Sequence, residues 1–274
     1  MMTTPNRFSG RLAVIGGGKM GEAIVSGLLA SGTVPADRIT IAEPVGARRD
    51  ELASRYSVGV VSDGIQALGD ADMVILAVKP QAVDQVVKGL SQALARAVLV
   101  SIAAGITCAR LESFLPEGSS VVRVMPNTPV MVREGMAIVS GGSSVSDEQI
   151  QTVAGLFSAV GRAIVVPESA QDAGTAISGS GPAYFALVVD ALARAGVAQG
   201  LTRDTAQALA VQTMLGTAKM LEETGMHPEA LIDGVSSPGG TTIAAINVLE
   251  DRAVRAAFAE AVSAAVRRSR ELGS

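Results

Sequence analysis

With one cysteine, one histidine and no tryptophan in 274 residues, this chain lacks the side chains that several chemistries require. Cys108 has no partner in the chain, so no intrachain disulfide forms and a reducing compartment fits. No His or Asn pattern accompanies it, so it reads as a small buried hydrophobe rather than a nucleophile. His, Cys and acidic residues do not cluster, and no metal site is expected. A net charge of -4 and scattered Lys and Arg residues give no basic footprint for nucleic acid or an anionic membrane. Met1 to Gly10 is polar, without the apolar run of a signal peptide. The longest uncharged apolar stretch, between Asp172 and Asp190, holds Gly174, Gly179, Gly181 and Pro182, which a membrane-spanning helix rarely carries together. The expected location is the cytoplasm.

Aromatic residues make up only 3% of the chain against 48% hydrophobic residues, so the core must be built from Ala, Val, Leu, Ile and Met. Up to about Val166, short β-branched runs alternate with helical segments. Leu12–Ile15, Ile39–Ala42, Met73–Val78, Val98–Ile102, Val121–Val124, Met136–Val139 and Ala163–Val166 read as strands. They are apolar on both faces, as strands covered by helices on both sides must be. The alternation predicts an α/β fold, a Rossmann-type doubly wound sheet, over residues 1–167.

Beyond Pro167 the segments read as helices: Ala183–Ala195, Arg203–Glu223, Glu229–Val235, Thr242–Glu250 and Arg252–Leu272. Thr202 supplies an N-cap and Gly225 a stop. The middle helices are apolar on several faces, and such helices want burial on more than one side. Residues 168–274 are therefore expected to form an all-helical dimerisation and substrate-binding domain, with a compact monomeric bundle as the alternative.

Gly16-Gly17-Gly18-Lys19-Met20-Gly21 follows the first strand and opens a helix with GxGxxG spacing. In such a turn Gly16 permits the tight bend, Gly18 lets backbone approach a pyrophosphate, and Gly21 lets helix pack on strand. The helix N-terminus adds free N–H groups and partial positive charge. Lys19 and Met20 complete the turn. Glu43, at the end of the second strand, is placed to accept both ribose hydroxyls and to repel a 2′-phosphate, whereas Arg48 and Arg49 would favour that phosphate. The balance leans towards NADH and leaves NADPH open. Ala77-Val78-Lys79-Pro80 ends another strand, with Lys79 free to reach a phosphate, ribose or carboxylate. Asn127, in Met125-Pro126-Asn127-Thr128-Pro129, either binds the nicotinamide carboxamide or holds its own loop.

A second glycine turn lies in the helical half. Ser236-Ser237-Pro238-Gly239-Gly240-Thr241-Thr242 leads into a helix, where bare Gly239 and Gly240 N–H groups can close around a small anion. Ser237, Thr241 and Thr242 add hydroxyls. The first turn already accommodates phosphate, so a substrate carboxylate is the better fit here, against a capped helix start with no ligand.

Five segments, GGGKMG from Gly16, AVKP from Ala77, MPNTP from Met125, SGSGPAY from Ser178 and SSPGGTT from Ser236, occur in the order found in the pyrroline-5-carboxylate reductases of proline biosynthesis. The chain resembles that family over almost its whole length. The resemblance implies hydride transfer from NADPH or NADH to the imine carbon of 1-pyrroline-5-carboxylate. It implies a helical domain interlocked with its twin, dimers assembling into a larger ring such as a decamer, and an active site between the cofactor domain of one subunit and helices that can come from the other. It also implies a carboxylate cradle at Ser237, Gly239, Gly240 and Thr241, and a Thr242 hydroxyl set by the imine nitrogen. His227 stands before Pro228 in a helix-ending turn and reads as structural or exposed rather than as an acid. Tyr184 reads as core rather than pocket lining. A β-hydroxyacid dehydrogenase would need a lysine early in the Ala183 helix, which has none. A dinucleotide sensor without turnover would leave the Ser236 turn no purpose beyond capping.

Overall fold

The computed structural model describes residues 8–273. Residues 1–7, most of the polar N-terminal segment, lie outside the described residues. The chain divides into two compact units, one of residues 1–180 with 265–274 and one of residues 181–264.

The first unit is built on an eight-stranded sheet of β1 (Leu12–Ile15), β2 (Ile39–Ala42), β3 (Gly59–Val61), β4 (Met73–Leu76), β5 (Val98–Ser101), β6 (Val121–Pro126), β7 (Gly135–Gly141) and β8 (Gly161–Val165). Its order is β3-β2-β1-β4-β5-β6-β7-β8, parallel except for the antiparallel β6–β7 pair. Successive side chains of a strand face opposite ways. Leu12 and Val14 accordingly enter one apolar core while Ala13 and Ile15 enter the other. The first face is covered by α1 (Lys19–Ala30), α2 (Gly46–Tyr56) and α6 (Asp147–Ser158), and the second by α3 (Gly64–Leu68), α4 (Val83–Leu94) and α5 (Cys108–Glu112). α7 (Gln171–Ser178) follows β8.

Two of these elements were not expected. β3 is only three residues long, begins at an exposed glycine and sits at the sheet edge, so no apolar run announces it. α7 carries Gly174, which lowers its helix propensity. That glycine also packs closely on β7, since a Cβ there would lie 2.4 Å from the end of the Ile138 side chain, which would have to turn aside.

The second unit contains α8 (Gly181–Ala198), α9 (Arg203–Thr224), α10 (Pro228–Val235) and α11 (Thr241–Asp251), followed by α12 (Val254–Gly273), whose last turns belong to the first unit. Thr202 caps α9 by accepting the Thr205 N–H, and Gly225 ends it in the left-handed conformation. α8 and α9 approach closely where Gly196 faces Ala206, since a Cβ on Gly196 would be 2.8 Å from that methyl. Much of their apolar surface is uncovered within one chain: Phe185, Leu187, Leu192, Leu209, Leu215 and Met220 are all exposed. The stretch Glu168–Ala198 is long and apolar enough to cross a membrane by length and composition, though glycines interrupt it and α7 ends within it.

Candidate active site

The sheet order reverses between β1 and β4, where ligands of doubly wound folds bind outside the strand carboxyl ends. Ile15 is in register with Ala42 of β2 and Leu76 of β4, so Gly16, Glu43 and Ala77 leave the sheet side by side. Gly16 has φ +111°, and a Cβ there would lie 2.7 Å from the Ala77 carbonyl oxygen. A Cβ on Gly21 would lie 2.4 Å from the Gly16 carbonyl oxygen, so this position must stay bare for α1 to seat on β1. Gly18 differs from both, because a Cβ there would meet nothing within 4 Å. Packing therefore does not demand glycine at Gly18, whereas a close ligand would. Gly18 is the N-cap of α1 and no side chain caps the helix, which leaves first-turn N–H groups for an anion. Gly18 and Lys19 are exposed, while Met20 packs on the core.

Beside this turn a cavity of about 500 Å³ is lined by Ile15, Pro44, Asp63, Ile65, Val78 and Val86, among others. Its apolar walls and single acid suit an adenosine. Asp63 also caps α3, its Oδ1 accepting the Ile65 and Gln66 N–H groups at 2.8 and 3.2 Å. The part of the lining from Ser62 to Ile65 directly follows β3, so it was no more evident in the sequence than that strand. The Asp63 cap before a helical run was the signal that could have revealed it. Ala77 and Val78 are half-buried, Lys79 is exposed, and Pro80 starts a short 3₁₀ turn after it.

Glu43 is turned into the glycine turn rather than outward. It is 8% exposed; Oε2 accepts the Gly17 N–H at 3.1 Å and Oε1 the Val45 N–H at 2.9 Å. The lean towards NADH rested on a carboxylate facing a ribose, and in this arrangement both oxygens already hold backbone. Arg48 and Arg49 are similarly engaged. Arg48 Nε donates to the Gly17 carbonyl at 2.9 Å, and Arg49 donates to the Glu43 and Pro44 carbonyls at 3.0 and 2.8 Å. Burial alone pushes the Glu22 carboxyl up. Hydrogen bonds from Arg48, Tyr56 and Arg55 outweigh that and hold the group below its ordinary value.

Asn127 holds its own loop. Its Nδ2 donates to the Ser178 carbonyl at 2.9 Å and its Oδ1 accepts the Met136 N–H at 2.8 Å. The MPNTP loop is thereby tied to β7 and to the end of α7. Cys108 is buried, and desolvation together with the neighbouring Glu168 pushes its thiol up to about 12. His227 is exposed and caps α10, its Nδ1 accepting the Glu229 N–H at 3.2 Å. Among the described residues no group of three metal-ligating side chains comes together.

The helical unit holds the second turn. The Gly240 N–H donates to the Ser237 carbonyl at 2.9 Å around Pro238 and Gly239, and Gly239 takes φ +66°. Proline second and a positive-φ glycine third are the demands of a type II turn. Gly240 is the N-cap of the eleven-residue α11, and no side chain caps that helix. Thr241 and Thr242 occupy its first two positions, Thr242 half-buried. The Ser236 hydroxyl is buried with no hydrogen-bond partner in the protein. The uncapped N–H groups at the start of α11 are an incomplete polar site, and a carboxylate would complete it.

Residues 168–272 match the family model described as pyrroline-5-carboxylate reductase dimerisation, and residues 11–105 match NADP oxidoreductase coenzyme F420-dependent. The chain is 46% identical over 263 residues to pyrroline-5-carboxylate reductase of Synechocystis, covering 96% of this chain and 98% of the relative. Against the enzyme of the same name from Arabidopsis thaliana identity is 44%, with 96% and 95% covered. Among solved structures, a pyrroline-5-carboxylate reductase from Coxiella burnetii superposes with TM-score 0.93 at 37% identity, covering 97% of this chain and all of that one. Plasmodium falciparum pyrroline carboxylate reductase with NADP bound gives 0.87 at 29% identity, covering 98% and 100%.

Proposed function

The chain belongs to the pyrroline-5-carboxylate reductase family, and from that premise we propose that it reduces 1-pyrroline-5-carboxylate to L-proline, the final step of proline biosynthesis, with NADPH or NADH as reductant. The observation that carries the substrate reading is the turn from Ser236 to Thr242, which offers a second, uncapped helix start to an anion other than the cofactor. The cofactor reading rests on the open space at Gly18 and the cavity beside it.

In this reading the first-turn N–H groups of α1, at Gly18, Lys19 and Met20, hold the pyrophosphate, with Gly16 and Gly21 shaping the turn. The adenosine takes the cavity beside Pro44 and Asp63, and Lys79 with Ala77, Val78 and Pro80 flanks the bound nucleotide. Glu43 and Asn127 serve by holding backbone in place. When bound, the dihydronicotinamide supplies the hydride that the imine carbon accepts. The ring nitrogen takes one proton, from water or already present as iminium, so no strong protein acid is required. Ser237, Gly239, Gly240 and Thr241 hold the carboxylate, and the Thr242 hydroxyl orients the imine nitrogen. Holding the ring in a reactive geometry is where such a site gains most of its rate.

The domain limits follow the same reading, residues 1–167 binding dinucleotide and residues 168–274 binding substrate and a second subunit. The chain self-associates through its dimerisation segment, and the exposed apolar faces of α8 and α9 are the surfaces an interlocked dimer would cover. Dimers of this kind can close further into a ring such as a decamer. A cytoplasmic location accords with the single buried thiol.

The test compares 1-pyrroline-5-carboxylate with 1-pyrroline, which has the same C=N bond and no carboxylate. Loss of a charge-assisted anion contact should lower kcat/KM by roughly 100-fold for 1-pyrroline. Thr242→Ala should lower kcat on the carboxylate substrate and leave nucleotide binding intact. Equal kcat/KM for the two imines would remove the carboxylate cradle from the account.

A further inference from the structure

The peptide groups on both sides of Gly17 are gripped by side chains from the segment after β2. Glu43 Oε2 accepts the Gly17 N–H, and Arg48 Nε donates to the Gly17 carbonyl at 2.9 Å. Arg48 stands in the first turn of α2, with its side chain 22% exposed. Its two remaining nitrogens are held by Glu51 at 2.7 Å and by Glu22 of α1. Glu22 is in turn held by Arg55 and Tyr56, each at 2.8 Å. The guanidinium is thus fixed on three sides.

The Gly17 carbonyl and the Gly18 N–H belong to one peptide plane, and in a trans peptide they point in opposite directions. The described residues contain no cis peptide bond. Drawing the carbonyl onto Arg48 therefore turns the Gly18 N–H the other way. Gly18 itself is exposed, with nothing within 4 Å of the place its Cβ would take.

We infer that Arg48 is a positioning residue for the dinucleotide: by holding the Gly17 carbonyl it aims the Gly18 N–H at the pyrophosphate, which NADH and NADPH share, and it does not read the 2′-phosphate. From its position alone an arginine shortly after the second strand would be taken as the reader of that phosphate. Here all three of its nitrogens are engaged on the protein, one of them on the turn itself. Arg49 likewise holds the Glu43 and Pro44 carbonyls. Preference between the nucleotides then has to come from other contacts.

The inference rests on the dinucleotide-binding part of the proposed function, so it is tested by binding in the absence of any imine. NADH and NADPH are titrated into the parent, Arg48→Met and Glu22→Gln, following nucleotide fluorescence, and the unliganded melting temperature of each is recorded. Arg48→Met keeps the apolar stem and removes every donor. It should raise Kd for both nucleotides together by roughly tenfold, about 1.4 kcal/mol, with the NADPH-to-NADH ratio changed by less than about twofold. In turnover, KM for both nucleotides should rise while kcat at saturation stays within about twofold. Glu22→Gln leaves the bond to Gly17 but loosens its support, and should weaken both nucleotides by a smaller common factor. It also keeps the question answerable if Arg48→Met does not fold. Selective loss of NADPH in either variant would make Arg48 a 2′-phosphate ligand, and unchanged binding of both would make it idle; either result overturns the inference. A parent that binds neither nucleotide would instead defeat the proposed function.

Discussion

Gly18→Ala separates a glycine kept for a ligand from glycines kept for the fold. At Gly18 the backbone has φ -70° and ψ 179°, extended values that alanine adopts without strain, and the added methyl would meet nothing. Alanine is a poorer N-cap than glycine by roughly 0.5–1 kcal/mol. Restricting the unfolded chain returns about 0.4–1 kcal/mol. The two nearly cancel, so the melting temperature of the unliganded protein should be almost unchanged. Gly21→Ala has a different ledger. Helix propensity favours it by about 1 kcal/mol, but its methyl would sit 2.4 Å from a backbone carbonyl oxygen that cannot move without shifting the Gly16 turn. Forced packing of that kind costs about 1–3 kcal/mol, and Gly21→Ala should melt earlier. Nucleotide binding should show the reverse emphasis. A methyl at Gly18 would hold the pyrophosphate off one N–H group worth about 1.5–3 kcal/mol, raising Kd for NADPH on the order of 10- to 100-fold. The assay is a melting curve and a fluorescence titration on each variant. Gly18→Ala binding NADPH as tightly as the parent would refute the placement of the pyrophosphate.

Two further predictions concern groups away from the ligands. Cys108 is an acid whose folded pKa, about 12, lies above its ordinary value of 9.0, so its contribution to stability is complete below 9.0 and is lost as pH rises towards 12. At pH 8 a disulfide reagent should leave the native thiol unlabelled and label it fully in denaturant, and prompt native labelling would contradict its burial. Arg123, with its side chain 6% exposed, pairs with Glu168 at 3.3 Å and Asp172 at 3.8 Å; Arg123→Ala leaves Glu168 the Cys108 N–H and Asp172 the Ser269 hydroxyl and Arg270, and should cost about 2 kcal/mol in a urea melt. A loss under about 1 kcal/mol would show that the pairs contribute no more than surface ion pairs do.

The glycine turn was readable because each of its residues answers a local requirement, a positive φ at Gly16, open space at Gly18 and close packing at Gly21. The helices of the second unit were readable for a similar reason, since Thr202 and Gly225 punctuate α9 by local chemistry. β3 was not, because three residues ending a sheet carry too little pattern. Partners far apart in sequence were the other blind spot. Glu43 stands where a ribose-binding acid would stand, and only the folded chain brings the Gly17 N–H, 26 positions away, onto its carboxylate. Asn127 was readable as a polar loop residue, but Ser178, 51 positions on, had to be in place before its role as a tie appeared. The orphaned Ser236 hydroxyl has no signature in the sequence at all, because being unpartnered is a property of surroundings.

Purified protein is mixed with 1-pyrroline-5-carboxylate and either NADPH or NADH, nucleotide absorbance is followed, and proline is quantified at the end. The expected result is imine-dependent nucleotide oxidation with one proline formed per nucleotide consumed. No consumption of either nucleotide, or consumption without proline, would contradict the account.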